Sequence, residues 1–245
     1  MSDRSLKVTA ILLAGGSGNR MQGATSDKIL MPLQGKSIFQ YSFDAFQASQ
    51  AVSHYVIVYR DQPQREQLSG LIPPDSTEVS WTLGGKERHN SVHNGLKACP
   101  SDTDVVLIHD CARPLVTPSA IESVTQSAST HGSACIAKKV TDTIKQISPS
   151  PGATNTYRLQ GLDRSKLWAM ETPQAFRYEL IASAYESVSR RGQHITDDLS
   201  AIEGDQIATQ LIENGRPNIK LTTPEDIHFL DFILQKTSNS INSEQ

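Results

Sequence analysis

Apolar residues in this chain fall in short runs that stop abruptly at glycine or at a polar pair. Val8 to Leu13 is such a run, of strand length, and it ends at Ala14-Gly15-Gly16-Ser17-Gly18. Tyr55–Tyr59, Val79–Leu83, Val105–Ile108 and Ala134–Ala137 repeat the pattern. Between the runs the spacing turns helical. Ile38, Tyr41, Ala45 and Phe46 mark a helix over Ser37–Gln50 with Ser37 as N-cap, and further helices are predicted over Pro63–Leu68, Ser91–Ala98 and from Thr117-Pro118 to Thr130. Strand and helix alternate through residue 137, which predicts a mainly parallel sheet flanked by helices. Such sheets bind ligands beyond the C-terminal ends of their strands. The glycine loop, Gly84-Gly85 and His109-Asp110 all follow strands, so they should meet at one sheet edge.

From Lys138 to Leu167 the rhythm changes. Thr143–Ile147 and Tyr157–Leu159 read as two strands joined by Ser148-Pro-Ser-Pro-Gly152, a β arm spanning about residues 138–167. Two strands alone bury too little to be stable, so the arm is expected to pack on a second subunit, with a free flap as the alternative. A helix is predicted over Tyr178–Arg190, strands over Ala208–Glu213 and Ile219–Leu221, and a last helix from Thr223-Pro224 to Gln235. The polar stretch 237–245 is expected to be disordered. The 245 residues can form one domain, 1–245.

Composition narrows the function classes. A net charge of −3 gives no reason to expect nucleic acid or an anionic membrane as partner, and no run approaches the ~20 apolar residues of a membrane helix. Three unclustered cysteines suggest neither a disulfide framework nor a zinc site, and the polar N-terminus does not read as a signal peptide; a cytoplasmic protein is expected. The seven histidines lack ligand spacing such as His-x-x-x-His, so His109 reads as a strand-end structural residue and Trp168 as packing.

The glycine loop is the first candidate for chemistry. Gly15, Gly16 and Gly18 let the backbone turn sharply and a ligand approach its N–H groups, a helix beginning near Asn19 would aim its N-terminus at the same place, and Arg20 and Lys28 add positive charge. Phosphate is the guest this suits. Met21 replaces the third glycine of a dinucleotide fingerprint, Leu30 stands where a Walker loop begins, and Ser17-Gly18-Asn19 is no nucleophile elbow.

An ordered set of runs then acquires meaning together: Ala14-Gly-Gly-Ser-Gly-Asn-Arg-Met21, Gly84-Gly-Lys-Glu-Arg-His-Asn-Ser-Val92, His109-Asp-Cys-Ala-Arg-Pro114, Val140-Thr-Asp-Thr-Ile-Lys145, Asp163-Arg164, Leu167-Trp168, Thr172-Pro-Gln174, Ile195-Thr-Asp197, Asn218-Ile-Lys220 and Pro224-Glu-Asp226. From about Val8 to Ile233 the chain resembles the 2-C-methyl-D-erythritol 4-phosphate cytidylyltransferases. The resemblance implies a nucleotide-diphospho-sugar-transferase-like α/β fold and a homodimer embraced by the projecting arm. It also implies a reaction of CTP with methylerythritol phosphate that releases pyrophosphate, in the non-mevalonate route to isoprenoids.

By the same resemblance, Arg20 and Lys28 stabilise the triphosphate, with Mg²⁺ bridging its oxygens, and Arg164 and Lys220 hold the attacking monoester across the dimer interface, in sites shared between subunits. Backbone near Ala14 and Gly85, with the Ser91 hydroxyl, faces cytosine; Ser91 could also serve as a helix N-cap. Asp110 ligates metal or a substrate hydroxyl, or else is a structural partner of Arg113. Arg113, Thr143 and Thr196 line the polyol and phosphate site, with Thr172 a weaker candidate. Arg88 is left to pair with a neighbouring acid. Asp27-Lys28-Ile29-Leu30 departs from the family's Pro-Lys-Gln-aromatic run and raises the question whether Asp27 softens the lysine's charge; Lys86 and Cys111 depart near the expected base and ribose. A ribitol 5-phosphate cytidylyltransferase and a catalytically silent nucleotide-binding module are the alternatives.

Overall fold

The computed structural model of the chain describes residues 5–16, 27–74, 76, 78–150, 154–203 and 207–242. At its centre lies β1 (Val8–Leu13), paired in parallel with β4 (His54–Tyr59) on one side and β6 (Val105–Asp110) on the other. β5 (Val79–Leu83) extends the sheet beyond β4. On the other side come β10 (Trp168–Arg177), β7 (Ser133–Lys139) and β11 (Gln210–Glu213), giving the order β11-β7-β10-β6-β1-β4-β5. β10 runs antiparallel to both neighbours; the other six strands point one way. The mainly parallel sheet flanked by helices is therefore present, with one strand reversed.

Alternation along β1 explains why so short a strand organises two cores. Val8, Ala10 and Leu12 pack with α1 (Ile38–Ala48), α2 (Gln62–Ser69), α4 (Pro118–His131) and α6 (Glu225–Asn242), while Ile11 packs on the opposite face with α3 (Arg88–Lys97) and α5 (Tyr178–Arg191). The helices start where local chemistry satisfies their first N–H groups. Ser37 Oγ accepts from Gln40 N while Gln40 Oε1 accepts from Ser37 N, a reciprocal box; Asp61 and Thr117 cap α2 and α4. α3 lies so close to β1 that a Cβ on Gly95 would sit 2.7 Å from Ile11 Cγ2.

Several expectations need correction. α3 begins at Arg88 with Glu87 as N-cap, so Ser91 is inside the helix. β10 has no counterpart in the sequence reading, because Glu171, Thr172, Pro173 and Gln174 interrupt its apolar pattern. A register shift between Met170 and Gln174 accommodates the proline, which has no N–H for a ladder. Ile219–Leu221 is not a strand; Leu221 N instead donates to Ala112 O at 2.7 Å. The last helix continues to Asn242, so 237–242 is helical where disorder is expected, and 243–245 lie outside the described residues. The helix expected near Asn19 also lies outside them.

The arm forms as a two-stranded antiparallel ribbon, β2 and β3 (Pro32–Leu33 and Lys36–Ser37) being a separate small pair. β8 (Lys145–Pro149) pairs with β9 (Tyr157–Gly161), two residues later than expected for its first strand, and every residue of both is exposed. Among the described residues no helix is long and apolar enough to cross a membrane.

Candidate active site

The C-terminal ends of β1, β4, β5 and β6 open onto a cavity of about 500 Å³, whose walls include Gly15, Gly16, Lys28, Arg60, Gly85, Arg88, Ser91, Asp110 and Lys220. The expected meeting is thus observed for Gly15 and Gly16 of the glycine loop, Gly85 and Asp110. Close backbone approach explains two glycines. A Cβ on Gly15 would come within 3.0 Å of the Tyr59 backbone, and one on Gly85 would lie 2.2 Å from Asn90 Cβ.

Backbone groups of Ala14 and Gly85 hold the two turns in shape. Ala14 N donates to Val58 O at 2.9 Å and Ala14 O accepts from Gln64 Nε2 at 3.1 Å. Gly85 N donates to Ser91 Oγ at 2.9 Å, and Ser91 Oγ donates to Glu87 O at 3.2 Å. Ser91 therefore lines the cavity, while Ala14, fully buried, holds the turn behind it. Gln64, buried in α2, also donates to Asp27 at 2.6 Å, and Arg60 pairs with the same carboxylate at 3.1 Å. The Asp27 carboxylate is thus engaged by Arg60 and Gln64. Lys28 Nζ donates to Leu221 O at 2.9 Å, which joins the β1 edge to the segment carrying Lys220.

Asp110 is the electrostatic centre. One carboxylate oxygen accepts from Arg88 Nε at 3.0 Å, the other from Lys220 Nζ. Burial alone would raise its pKa, but the two cations outweigh burial and hold the group well below the usual carboxylate range. Arg88 also clamps Asp198 with both terminal nitrogens, at 3.0 and 2.8 Å, and Tyr185 donates to Asp198 at 2.6 Å. Asp198 is fully buried, so this fork fixes α3 to the 197–199 segment. Gln174 holds that segment from β10, accepting from Asp198 N at 3.1 Å and Leu199 N at 3.2 Å.

Thr172, buried, accepts from Asp110 N at 3.1 Å and shares a hydrogen bond of 3.1 Å with His109 Nδ1; it positions the end of β6 and does not line the cavity. Burial first, then nearby Arg113 and Lys220 cations, lower the His109 pKa to about 3 despite Asp110, and its ring packs against Phe46. It is structural, as expected. Arg113 donates to Asn218 O at 2.7 Å, so the side-chain partners of Asp110 are Arg88 and Lys220 instead. Cys111 is buried and lies outside the cavity wall.

Other expected residues lie elsewhere. Arg164 and Thr143 are exposed on the arm, where Arg164 donates to Thr141 O, and Thr196 is exposed beside Ser200. None of the three lines the cavity of its own chain. Arg20 and Gly18 lie outside the described residues. The sequence reading set Arg88 aside and passed over Arg60 and Gln64. Arg88 pairs with acids and lines the site at once; its place in the Gly84–Val92 run was the available signal.

Comparison with known proteins gives this geometry its context. The 2-C-methyl-D-erythritol 4-phosphate cytidylyltransferase family model matches residues 8–236. The enzyme of that name from Geobacillus kaustophilus is 37% identical over 227 residues, covering 92% of this chain and 96% of that one. The chloroplastic one from Oryza sativa subsp. japonica is 36% identical over 220 residues, covering 90% and 72%. A solved 4-diphosphocytidyl-2C-methyl-D-erythritol synthase from Anaerococcus prevotii shares the fold, with TM-score 0.82 at 24% identity over 94% of this chain and 96% of that one. With its family signature spanning nearly all of the chain and converging on one cationic cavity, the chain belongs to the 2-C-methyl-D-erythritol 4-phosphate cytidylyltransferases, a family of nucleotidyltransferases.

Proposed function

We propose that the chain transfers the cytidylyl group of CTP to 2-C-methyl-D-erythritol 4-phosphate, giving 4-diphosphocytidyl-2-C-methyl-D-erythritol and pyrophosphate. The observation that carries this reading is the cavity in which the glycine loop, Lys28, Arg88 and Lys220 converge around Asp110, in a chain of this family. An oxygen of the acceptor's phosphate attacks the α-phosphorus while the bond to the pyrophosphate oxygen breaks. Both reactants are anions, so the protein's task is to bring them together and to neutralise charge on the leaving group. Lys28 and Arg20 are assigned to the triphosphate, and Lys220 to the attacking phosphate. Asp110 orients Lys220 and Arg88 by pairing with both.

A divalent cation would take Asp110 as a ligand alongside Arg88 and Lys220, which already hold one of its oxygens each. Mg²⁺ is commonly held by one or two carboxylates together with substrate phosphates, and Asp110 is the buried carboxylate of the cavity. Bound there it would supply charge neutralisation at the phosphate oxygens.

The arm supports a shared site. Ile147 and Leu159 face one another across the ribbon, 56% and 66% exposed, an apolar pair without cover in a single chain. We assign this surface to a second copy. Arg164 and Thr143, which do not line the cavity of their own chain, would then serve the partner's polyol phosphate. The test mixes two inactive variants. If Lys28 acts within its chain and Arg164 across the interface, equal amounts of Lys28→Ala and Arg164→Ala, dissociated and reassociated, regain about a quarter of wild-type turnover. No recovery would refute the shared site. A loss in Arg164→Ala that raises KM for CTP as much as KM for the acceptor would refute its acceptor role.

A further inference from the structure

A second cavity, of about 390 Å³, shares Lys86 and Glu87 with the first and is otherwise lined by residues of α3, α5 and the loop after α5, among them His89, His93 and His194. Glu87 Oε2 lies 3.3 Å from His89 Nδ1 and 3.4 Å from His194 Nε2, and one ligand atom of each of the three residues lies within 4.8 Å of the other two. Nitrogen and oxygen donors about 2.0–2.1 Å from a tetrahedral zinc ion stand about 3.3–3.4 Å apart along the edges of the tetrahedron. Two of the three edges already have that spacing. Charge-assisted N–H···O bonds are about 2.7–2.9 Å, shorter than either separation. The two imidazoles meet edge-on, centroids 5.7 Å apart with planes at 75°, so they do not stack on one another.

We propose that Glu87, His89 and His194 form a binding site for Zn²⁺, with the fourth position left to water or a small exogenous ligand. Two imidazoles and one carboxylate suit zinc, whereas Mg²⁺ requires near-octahedral oxygen coordination. The placement gives the ion a mechanical role. Glu87 and His89 flank Arg88, which already ties α3 to Asp198; His194 stands four residues before Asp198 on the same loop. Zinc would add a second tie between these segments, on the solvent side of the buried one. His194 is 71% exposed and is the ligand that would complete the site when metal arrives.

The full-length chain, in metal-free buffer, is titrated with Zn²⁺ against a chromophoric chelator, and its melting temperature is followed in parallel. One Zn²⁺ per chain is expected, with a higher Tm that saturates at the same stoichiometry, and millimolar Mg²⁺ leaves the zinc in place. His89→Ala and His194→Ala each weaken binding at least tenfold; neither residue contacts the acceptor or nucleotide cavity, so turnover with Mg²⁺ is unchanged in His194→Ala. Absence of uptake at micromolar Zn²⁺, equal uptake by the double variant, or a loss in only one single variant would each overturn the site. The readout needs no turnover, so it stands apart from the reaction proposed above.

Discussion

Arg88 offers the sharpest test of how the site is held together. Its side chain is 28% exposed and serves two carboxylates, Asp198 at 0% and Asp110 at 11% side-chain exposure. Replacement by methionine keeps most of the volume but leaves Asp198, among the described residues, with only Tyr185 as a side-chain donor, whereas Asp110 retains Lys220. Breaking a buried pair by removing one partner costs about 3–5 kcal/mol. For a chain of this size each kcal/mol lowers Tm by about 2–4 °C, so Arg88→Met should melt about 10 °C early. Adding Asp198→Asn removes the stranded charge and should restore about 1–3 kcal/mol of that loss. Urea unfolding of the four chains of the cycle, read at constant m, measures both quantities. A single variant within about 1 kcal/mol of wild type, or a strictly additive cycle, would refute the claim that this fork fixes α3 to the 197–199 segment.

Other predictions use the same geometry. His109 stays neutral in the folded chain down to about pH 3, whereas an unfolded histidine binds its proton near pH 6.5. The unfolded state therefore binds more protons between those values, and stability should fall by about 2 kcal/mol from pH 6.5 to 5; His109→Leu should flatten that slope in urea unfolding, and an unchanged slope would count against it. Gly85→Ala must displace the turn, because its Cβ would meet Asn90 at 2.2 Å, and should lower kcat/KM about 100-fold, whereas Gly16→Ala, with nothing within 4 Å, should fold as wild type. Equal folding and activity in both would contradict the turn's role. Leu159→Glu should shift sedimentation toward monomer if the arm covers a second copy, and an unchanged profile would argue against that interface.

What was legible in the sequence follows from what each residue is asked to satisfy. Val8–Leu13 is legible to the residue, and Val79–Leu83 approximately, because apolar content and a glycine stop coincide with the strand ends. β10 was invisible because its buried Glu171, Thr172 and Gln174 are satisfied by distant partners, such as Asn218 for Glu171 and Asp197 for Gln174, which no local pattern encodes. The meeting of the glycine loop, Gly85 and Asp110 was predictable from strand polarity alone. The partners of Asp110 were not, since Arg88 and Lys220 reach it from 22 and 110 residues away. Ser91 was expected at a helix start because hydroxyls favour caps; inside α3 its hydroxyl accepts from Gly85 N instead, and so it shapes the same turn.

The central claim is tested most directly by pyrophosphate release from CTP with Mg²⁺, offering 2-C-methyl-D-erythritol 4-phosphate and ribitol 5-phosphate in parallel. The account predicts release that depends on acceptor, is faster with methylerythritol phosphate, and is lost in Lys28→Ala while that variant remains folded. Faster release with ribitol 5-phosphate would reassign the acceptor, and release with neither would contradict the proposed reaction.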